Sequence, residues 1–308
     1  MSLRHRFEYI LLRSVVFFVG LLPVRAARRI GSGLGDVAFS FLRIRRRVTL
    51  DNLSQAFPEW SRERVTDVAR ACYRHFGITF LELARFPTMD DDEIRALVTL
   101  EGVEALAEAR ERGSGLVLCT GHYGNWEALG ARVALAGFPI WVAAKTQSNR
   151  AVDEYVTRGR ELRGMRVLKV EEGFRRMLRP LRDGEFMTFL FDQDAGRRGI
   201  FVDFFGRPAS TPVGVVRFAR MTRSPIVFGY SVRQPDGTYL ARIEAPVRMR
   251  EDLPTEEAER DALERLVEQL EARVREHPEH WFWMHRRWKT RPPEAAGGTL
   301  GVPREEAG

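Results

Sequence analysis

The run Leu116 to Leu129 reads Leu-Val-Leu-Cys-Thr-Gly-His-Tyr-Gly-Asn-Trp-Glu-Ala-Leu, and it commits the chain to a strand that passes through a tight turn straight into a helix. Leu116, Val117, Leu118 and Cys119 form a short apolar block after Gly113 and Gly115, the pattern of a buried strand. From Asn125 to Leu135 the composition turns helical, with Trp126, Leu129 and Val133 beside Ala128, Ala131 and Ala134. The Gly-His-Tyr-Gly turn puts His122 where the strand ends and the helix begins. Open α/β sheets carry their reactive groups at that edge.

His122 and Glu127 are five positions apart, which on one continuous helix leaves them about 140° from each other. If His122 stays in the turn and Glu127 lies in the first helical turn, Gly121 and Gly124 allow the carboxylate to fold back onto the imidazole. A carboxylate on one ring nitrogen fixes the tautomer and stabilises the imidazolium, so that the other nitrogen can take a proton from a hydroxyl. The helix N-terminus adds donors and partial positive charge. The plainer alternative is a chance spacing, with His122 doing no more than capping the helix.

Gly-His-Tyr-Gly-Asn-Trp-Glu resembles the His-four-residues-acid motif of the glycerolipid acyltransferase superfamily, in the form seen in the bacterial late acyltransferases of lipid A synthesis, the lauroyl and myristoyl transferases. The resemblance extends to Phe191-Asp192-Gln193-Asp194, to Gly199 through Gly206, to Thr211 through Gly214 and to His277 through Lys289. It runs in order from about residue 7 to 293. It implies a mixed, mostly parallel sheet flanked by helices, with an N-terminal membrane-associated helical segment. It also implies His122 and Glu127 as the catalytic pair and Arg160 as a positioning arginine, although Arg158 and Arg163 blur that register. Acyl carrier protein would be the donor and a lipid A precursor the acceptor.

Charge is placed unevenly. Residues 1–50 hold ten arginines against Glu8 and Asp36, about +8, whereas the whole chain carries +7. A basic end of this kind can meet nucleic acid or anionic lipid. The apolar stretches Phe7 to Pro23 and Ile30 to Ile44, each bracketed by arginines, decide for lipid and against nucleic acid. Two helices in or upon the cytoplasmic leaflet of the inner membrane are expected. A single span from Phe7 to Leu22 and a buried hairpin with solvated arginines are the alternatives. Cys72 and Cys119 both sit in apolar surroundings and point to a reducing compartment without a disulfide framework.

Arg45 to Phe57 and Ser61 to about Ala84 read as helices, the second with His75 as a packing or surface residue. Strands and helices then alternate from Val98 to Phe191, which argues an α/β sheet. Asp192 and Asp194 share a strand end with His122 if the strands are parallel. They are expected to pair with an arginine or to order the loop behind the site; with no His beside them in sequence, no metal is expected. Phe201, Phe204 and Phe205, around Gly206, fit a core cluster or an acyl-chain slot equally well. Thr211 to Met221 reads as a helix, and Thr255 to His277 as a long one. His285, Arg286, Arg287 and Lys289, interleaved with tryptophans, suit an interfacial stretch that grips a phosphorylated glycolipid or the acidic carrier protein.

The chain divides on this reading into membrane-associating helices over 1–44, a transferase domain over 45–293 and a flexible tail over 294–308. The expected activity is O-acyl transfer without a bound cofactor or covalent acyl-enzyme, since there is no Gly-x-Ser-x-Gly elbow and neither cysteine has a basic neighbour. A mannosylated phosphoinositide or other glycolipid is the alternative acceptor. A metal-dependent phosphoesterase using Asp192 and Asp194, and a non-catalytic lipid-binding protein, are the competing classes.

Overall fold

A computed structural model describes residues 2–293; the tail expected over 294–308 lies outside them. The chain opens with five helices, α1 Leu3–Gly20, α2 Val24–Ser40, α3 Arg46–Ala56, α4 Arg62–Arg85 and α5 Asp91–Leu97. An alternating stretch follows: β1 Val98–Glu101, α6 Glu104–Glu111, β2 Leu116–Thr120, α7 Trp126–Leu135, β3 Ile140–Ala144, α8 Arg150–Glu161, β4 Arg166–Lys169, α9 Phe174–Arg182 and β5 Phe186–Leu190. The hairpin β6 Ile200–Asp203 and β7 Pro208–Thr211 leads to α10 Gly214–Thr222, β8 Ile226–Arg233, β9 Tyr239–Ile243 and α11 Thr255–Glu276.

The seven-stranded sheet has the order β1-β9-β8-β2-β5-β3-β4. Strands β8, β2, β5, β3 and β4 are mutually parallel, and only the β8–β9 contact is antiparallel. Every residue of β2 is buried, as a central strand covered on both faces requires. Its register with β5 sets Thr120 against Leu190. Two steps further along each chain, His122 and Asp192 leave the sheet side by side.

The helix expected from Thr211 starts instead at Gly214, because Pro208–Thr211 pairs with Ile200–Asp203 as β7. At the N-terminus, α2 lies against α4 at backbone contact distance. A Cβ on Gly35 would stand 2.2 Å from the Tyr73 carbonyl oxygen, and one on Gly31 would stand 2.7 Å from the Ile78 Cα. Most of the exposed large apolar side chains among the described residues belong to the first 44, including Phe7, Phe17, Phe18, Leu34, Phe41 and Leu42. Among the described residues no helix is long and apolar enough to cross a membrane. This corrects the alternative of a span from Phe7 to Leu22, where α1 carries Glu8 and Arg13 within its length.

Candidate active site

The turn after β2 is built by close approach. Gly124 has φ +60°, and a Cβ there would stand 1.8 Å from the Ser231 carbonyl oxygen, so the left-handed conformation and the neighbour both demand glycine. Asn125 caps α7, its Oδ1 accepting from Ala128 N at 3.0 Å. The turn is pinned to the chain after α11 like a piece of sheet. Gly124 N donates to His280 O at 2.8 Å, Phe282 N donates to His122 O at 3.0 Å, and Tyr123 bridges to Trp281.

His122 Nδ1 lies 2.8 Å from Asp192 Oδ1, and the His122 backbone N–H donates to Asp192 Oδ2 at 2.7 Å. Trp281 Nε1 donates to that same oxygen at 2.9 Å. Asp192 is 2 % exposed. Burial pushes its carboxyl up, but the His122 imidazole and the three donors outweigh that and hold it below the usual aspartate range. An ionised Asp192 accepts the Nδ1 proton, which leaves the lone pair on Nε2. Among the described residues that nitrogen meets only the Gln193 amide, at 3.4 Å. Trp126 stands edge-on 5.0 Å from the imidazole, with Phe282 at 6.3 Å, and the ring keeps 23 % of its surface open.

The carboxylate on the imidazole is thus Asp192 and not Glu127, which corrects the sequence expectation. Glu127 is in the first turn of α7 and forms a two-point ion pair with Arg160 of α8, with Nε to Oε2 at 2.9 Å. His122 does lie in the turn and Glu127 in the first turn of α7, as expected, but the carboxylate is held by Arg160 and does not fold back onto the imidazole. Of the three neighbouring arginines, Arg160 is the one that meets Glu127, whereas Arg163 pairs with Asp91. Asp194 behaves as a loop anchor: its carboxylate accepts from Thr290 N and Oγ1, and its N–H donates to His285 Nε2 at 2.9 Å.

Three expected substrate contacts are buried instead. Phe204 and Phe205 pack with Trp281, Trp283 and Trp288, which favours the core reading over an acyl slot. Arg287 is 1 % exposed, donates to Ser210 O at 2.6 Å and to Thr211 Oγ1, and lies over the Phe204 ring. It ties β7 to the C-terminal stretch and does not face solvent. Gly206 serves a tight turn at φ +69°, closed by Phe204 N donating to Arg207 O. His285 is half-buried on Asp194, and Arg286 stays exposed. Trp281 and Gln193 were not among the expected site residues; position within the Asp-Gln-Asp and tryptophan motifs was the only signal for them.

Behind the turn, Glu82 gathers donors from four elements: Arg28 of α2, Arg233 of β8, Tyr239 of β9 and the Asn125 cap. Burial raises its carboxyl, and the Arg233 pair, Tyr239 and Arg28 bring it below the ordinary glutamate value. His75, read as packing or surface, is buried, with Nε2 at 3.2 Å from Gly124 O. His277, Glu279 and His280 lie close enough to resemble a metal-binding group. The His280 Nε2 lone pair, however, accepts the Arg233 N–H at 3.1 Å. In that tautomer Nδ1 carries the proton, 3.1 Å from Glu279. Both cysteines are free and buried. Burial pushes the Cys72 thiol up to about 12 and Cys119 higher still.

A family model described as bacterial lipid A biosynthesis acyltransferase matches residues 2–290. The chain is similar to the lipid A biosynthesis palmitoleoyltransferase of Escherichia coli (strain K12), 27% identical over 273 residues, covering 88% of this chain and 87% of that protein. It is 28% identical over 280 residues to the lipid A biosynthesis lauroyltransferase of the same organism, covering 90% of each. The phosphatidylinositol mannoside acyltransferase of Mycolicibacterium smegmatis (strain ATCC 700084 / mc(2)155) is 23% identical over 227 residues, 72% of each chain.

Proposed function

The chain belongs to the bacterial lipid A biosynthesis acyltransferase family, and from that premise we propose that this acyltransferase moves a fatty acyl chain from an acyl-carrier-protein thioester to a hydroxyl of a lipid A precursor. One observation carries the reading: His122 has Nδ1 held by Asp192 and presents Nε2 at the open side of the sheet edge. The Nε2 lone pair takes the proton of the acceptor hydroxyl, which displaces the Gln193 amide. The oxygen attacks the thioester carbonyl and forms a C–O bond. The tetrahedral intermediate expels the thiolate as the C–S bond breaks, and the imidazolium returns its proton to sulfur. Asp192 stabilises the imidazolium throughout. The products are an ester and a free carrier thiol, and no bound cofactor is needed.

Glu127 and Arg160 are positioning residues in this scheme. Their ion pair fixes the first turn of α7 against α8, and with it the Trp126 wall beside His122. Residues 1–44 lay their exposed apolar side chains and arginines on the cytoplasmic face of the inner membrane, and residues 45–293 form the transferase domain. Apolar burial and about 1 kcal/mol per basic residue near an anionic surface would hold the protein there.

The phosphatidylinositol mannoside acyltransferase among the relatives favours a second reading, in which the acceptor is a mannosylated phosphoinositide. The test is mass analysis of products after incubation with carrier-protein thioesters of defined chain length and each acceptor in parallel. An ester on the lipid A precursor is expected, unaffected by chelators. Ester formation on the phosphoinositide alone would select the second reading; no ester on either acceptor, or a requirement for added divalent metal, would overturn both.

A further inference from the structure

A concave surface lies between the start of α3 and the end of the tryptophan stretch, with a volume of about 600 Å³. Arg47, Arg207, Arg286, Lys289 and Arg291 line it, and Trp288 forms part of its wall with the Arg207 guanidinium 5.0 Å from the ring centre. Among the described residues, Asp51 is the one carboxylate in the lining, 3.7 Å from Arg47 in a well-exposed pair. The α3 N-terminus adds partial positive charge, with no side-chain cap and no acid in its first turn. Burial and the like charge of Arg291 hold the Arg207 guanidinium below the usual arginine range. Five cations in one recess repel each other, and an anion seated among them relieves that repulsion.

Two features link the recess to the catalytic edge. Thr290, in its wall, donates to Asp194, next in sequence to the Gln193 that touches His122. Phe41, Leu42 and Ile44, all exposed, come just before the αL residue Arg45 and the start of α3, which joins the recess in the chain to the apolar N-terminal helices. We propose that this recess is a phosphate subsite that holds a phosphate monoester on the headgroup of the lipid acceptor while its hydroxyl reaches His122. A monoester carries a charge of about −1.5 to −2 and three free oxygens, against one charge and two free oxygens for a diester. Several planar guanidinium forks can share three oxygens. The acceptor's identity rests on the acyl-transfer reading; the preference for a monoester does not.

Full-length protein is mixed with phosphatidylcholine vesicles carrying phosphatidic acid or phosphatidylglycerol, at matched surface charge, and bound protein is measured by sedimentation. The wild type is expected to favour the phosphatidic acid vesicles by about tenfold, the loss typical of one charge-assisted hydrogen bond. Arg207→Gln with Arg291→Gln should bind both vesicles alike. Exposed Arg286→Gln alone should reduce the preference, a check that does not depend on the double variant folding. Equal wild-type binding to both vesicles, or a preference that survives all three substitutions, would overturn the subsite. In the transfer assay the same variants should raise the apparent KM for the acceptor and leave that for the carrier thioester unchanged. A rise confined to the thioester would instead assign the recess to the donor and sink the proposal. Failure of transfer with every donor would leave the vesicle result standing on its own.

Discussion

Asp192 with His122 and Glu127 with Arg160 each set a buried acid against a partly exposed base at the same edge of the sheet, yet they are built for different work. Asp192 takes one nitrogen of a ring whose other nitrogen looks outward. Glu127 is spent on a two-point pair with a guanidinium that keeps only 16% of its side chain exposed. The first pair is open on one side and can exchange a proton. The second is closed and can only hold two helices together. Spacing in sequence pairs the imidazole with Glu127; in the structure its Nδ1 meets Asp192 instead, and the proposed mechanism uses that contact.

The largest effect expected from breaking this contrast is that of Asp192→Asn. The His122 N–H and the Trp281 indole both require an oxygen acceptor at position Oδ2. An asparagine would satisfy them with its carbonyl and turn its NH2 toward His122 Nδ1. The ring would then carry its proton on Nε2, the wrong tautomer for a base. The turnover number kcat should fall by about 10²–10⁴-fold with little change in the circular dichroism spectrum. Near wild-type turnover would remove Asp192 from the mechanism, and turnover retained by His122→Ala would remove the base itself.

Glu127→Ala should act on stability first. Stripping one partner from a buried pair costs about 3–5 kcal/mol, and the residual exposure of Arg160 places this case near the lower end. Adding Arg160→Ala should recover part of the loss in denaturant titrations, because the orphaned charge disappears. If Glu127→Ala instead unfolds like the wild type but loses as much turnover as Asp192→Asn, the division of labour is wrong.

A third buried carboxylate sharpens the comparison through pH. The folded-state pKa of Glu82 lies below its ordinary 4.5. Its contribution to stability is therefore fully present above that unfolded value and is lost as pH falls through the depressed one. Glu82→Gln should lower stability at neutral pH and flatten the acid limb of the stability curve, read from melting temperatures across pH. An unchanged acid limb would mean that other carboxylates dominate it. The smallest effect is expected from Gln193→Ala. Its contact with His122 Nε2 is long, 3.4 Å, so kcat/KM should change by less than about tenfold. A loss comparable to that of Asp192→Asn would make Gln193 part of the chemistry.

Much of the architecture was legible from local pattern. The apolar block Leu116–Cys119, the helical composition after Asn125 and the later alternation of strands and helices fixed an α/β sheet with His122 at its carboxyl edge. The Cβ-free turn at Gly124 was visible as a glycine, and the apolar settings of Cys72 and Cys119 matched their burial. Arginines interleaved with apolar runs were equally plain in the first 50 residues. Misplaced were the residues whose meaning depends on what packs over them. Arg287 looked like a phosphate grip beside Arg286, and Phe204 and Phe205 fitted a slot as well as a core. No one-dimensional pattern distinguishes a cation facing solvent from one buried over Phe204 and bonded to Ser210.

The sequence by itself determined most of the strands and helices, the β6–β7 hairpin excepted, because side-chain periodicity and turn residues act within a few positions. It determined that an imidazole ends a buried strand and that acidic residues lie near such ends. The tertiary structure alone decided which acid meets the ring. That choice depends on β2 pairing in parallel with β5, in a register that sets Thr120 beside Leu190, 70 positions away in the chain. Register is an agreement between two distant strands about hydrogen bonds and buried faces, and a one-residue slip would have turned Asp192 away. Local preference cannot encode such an agreement; packing of the whole sheet does.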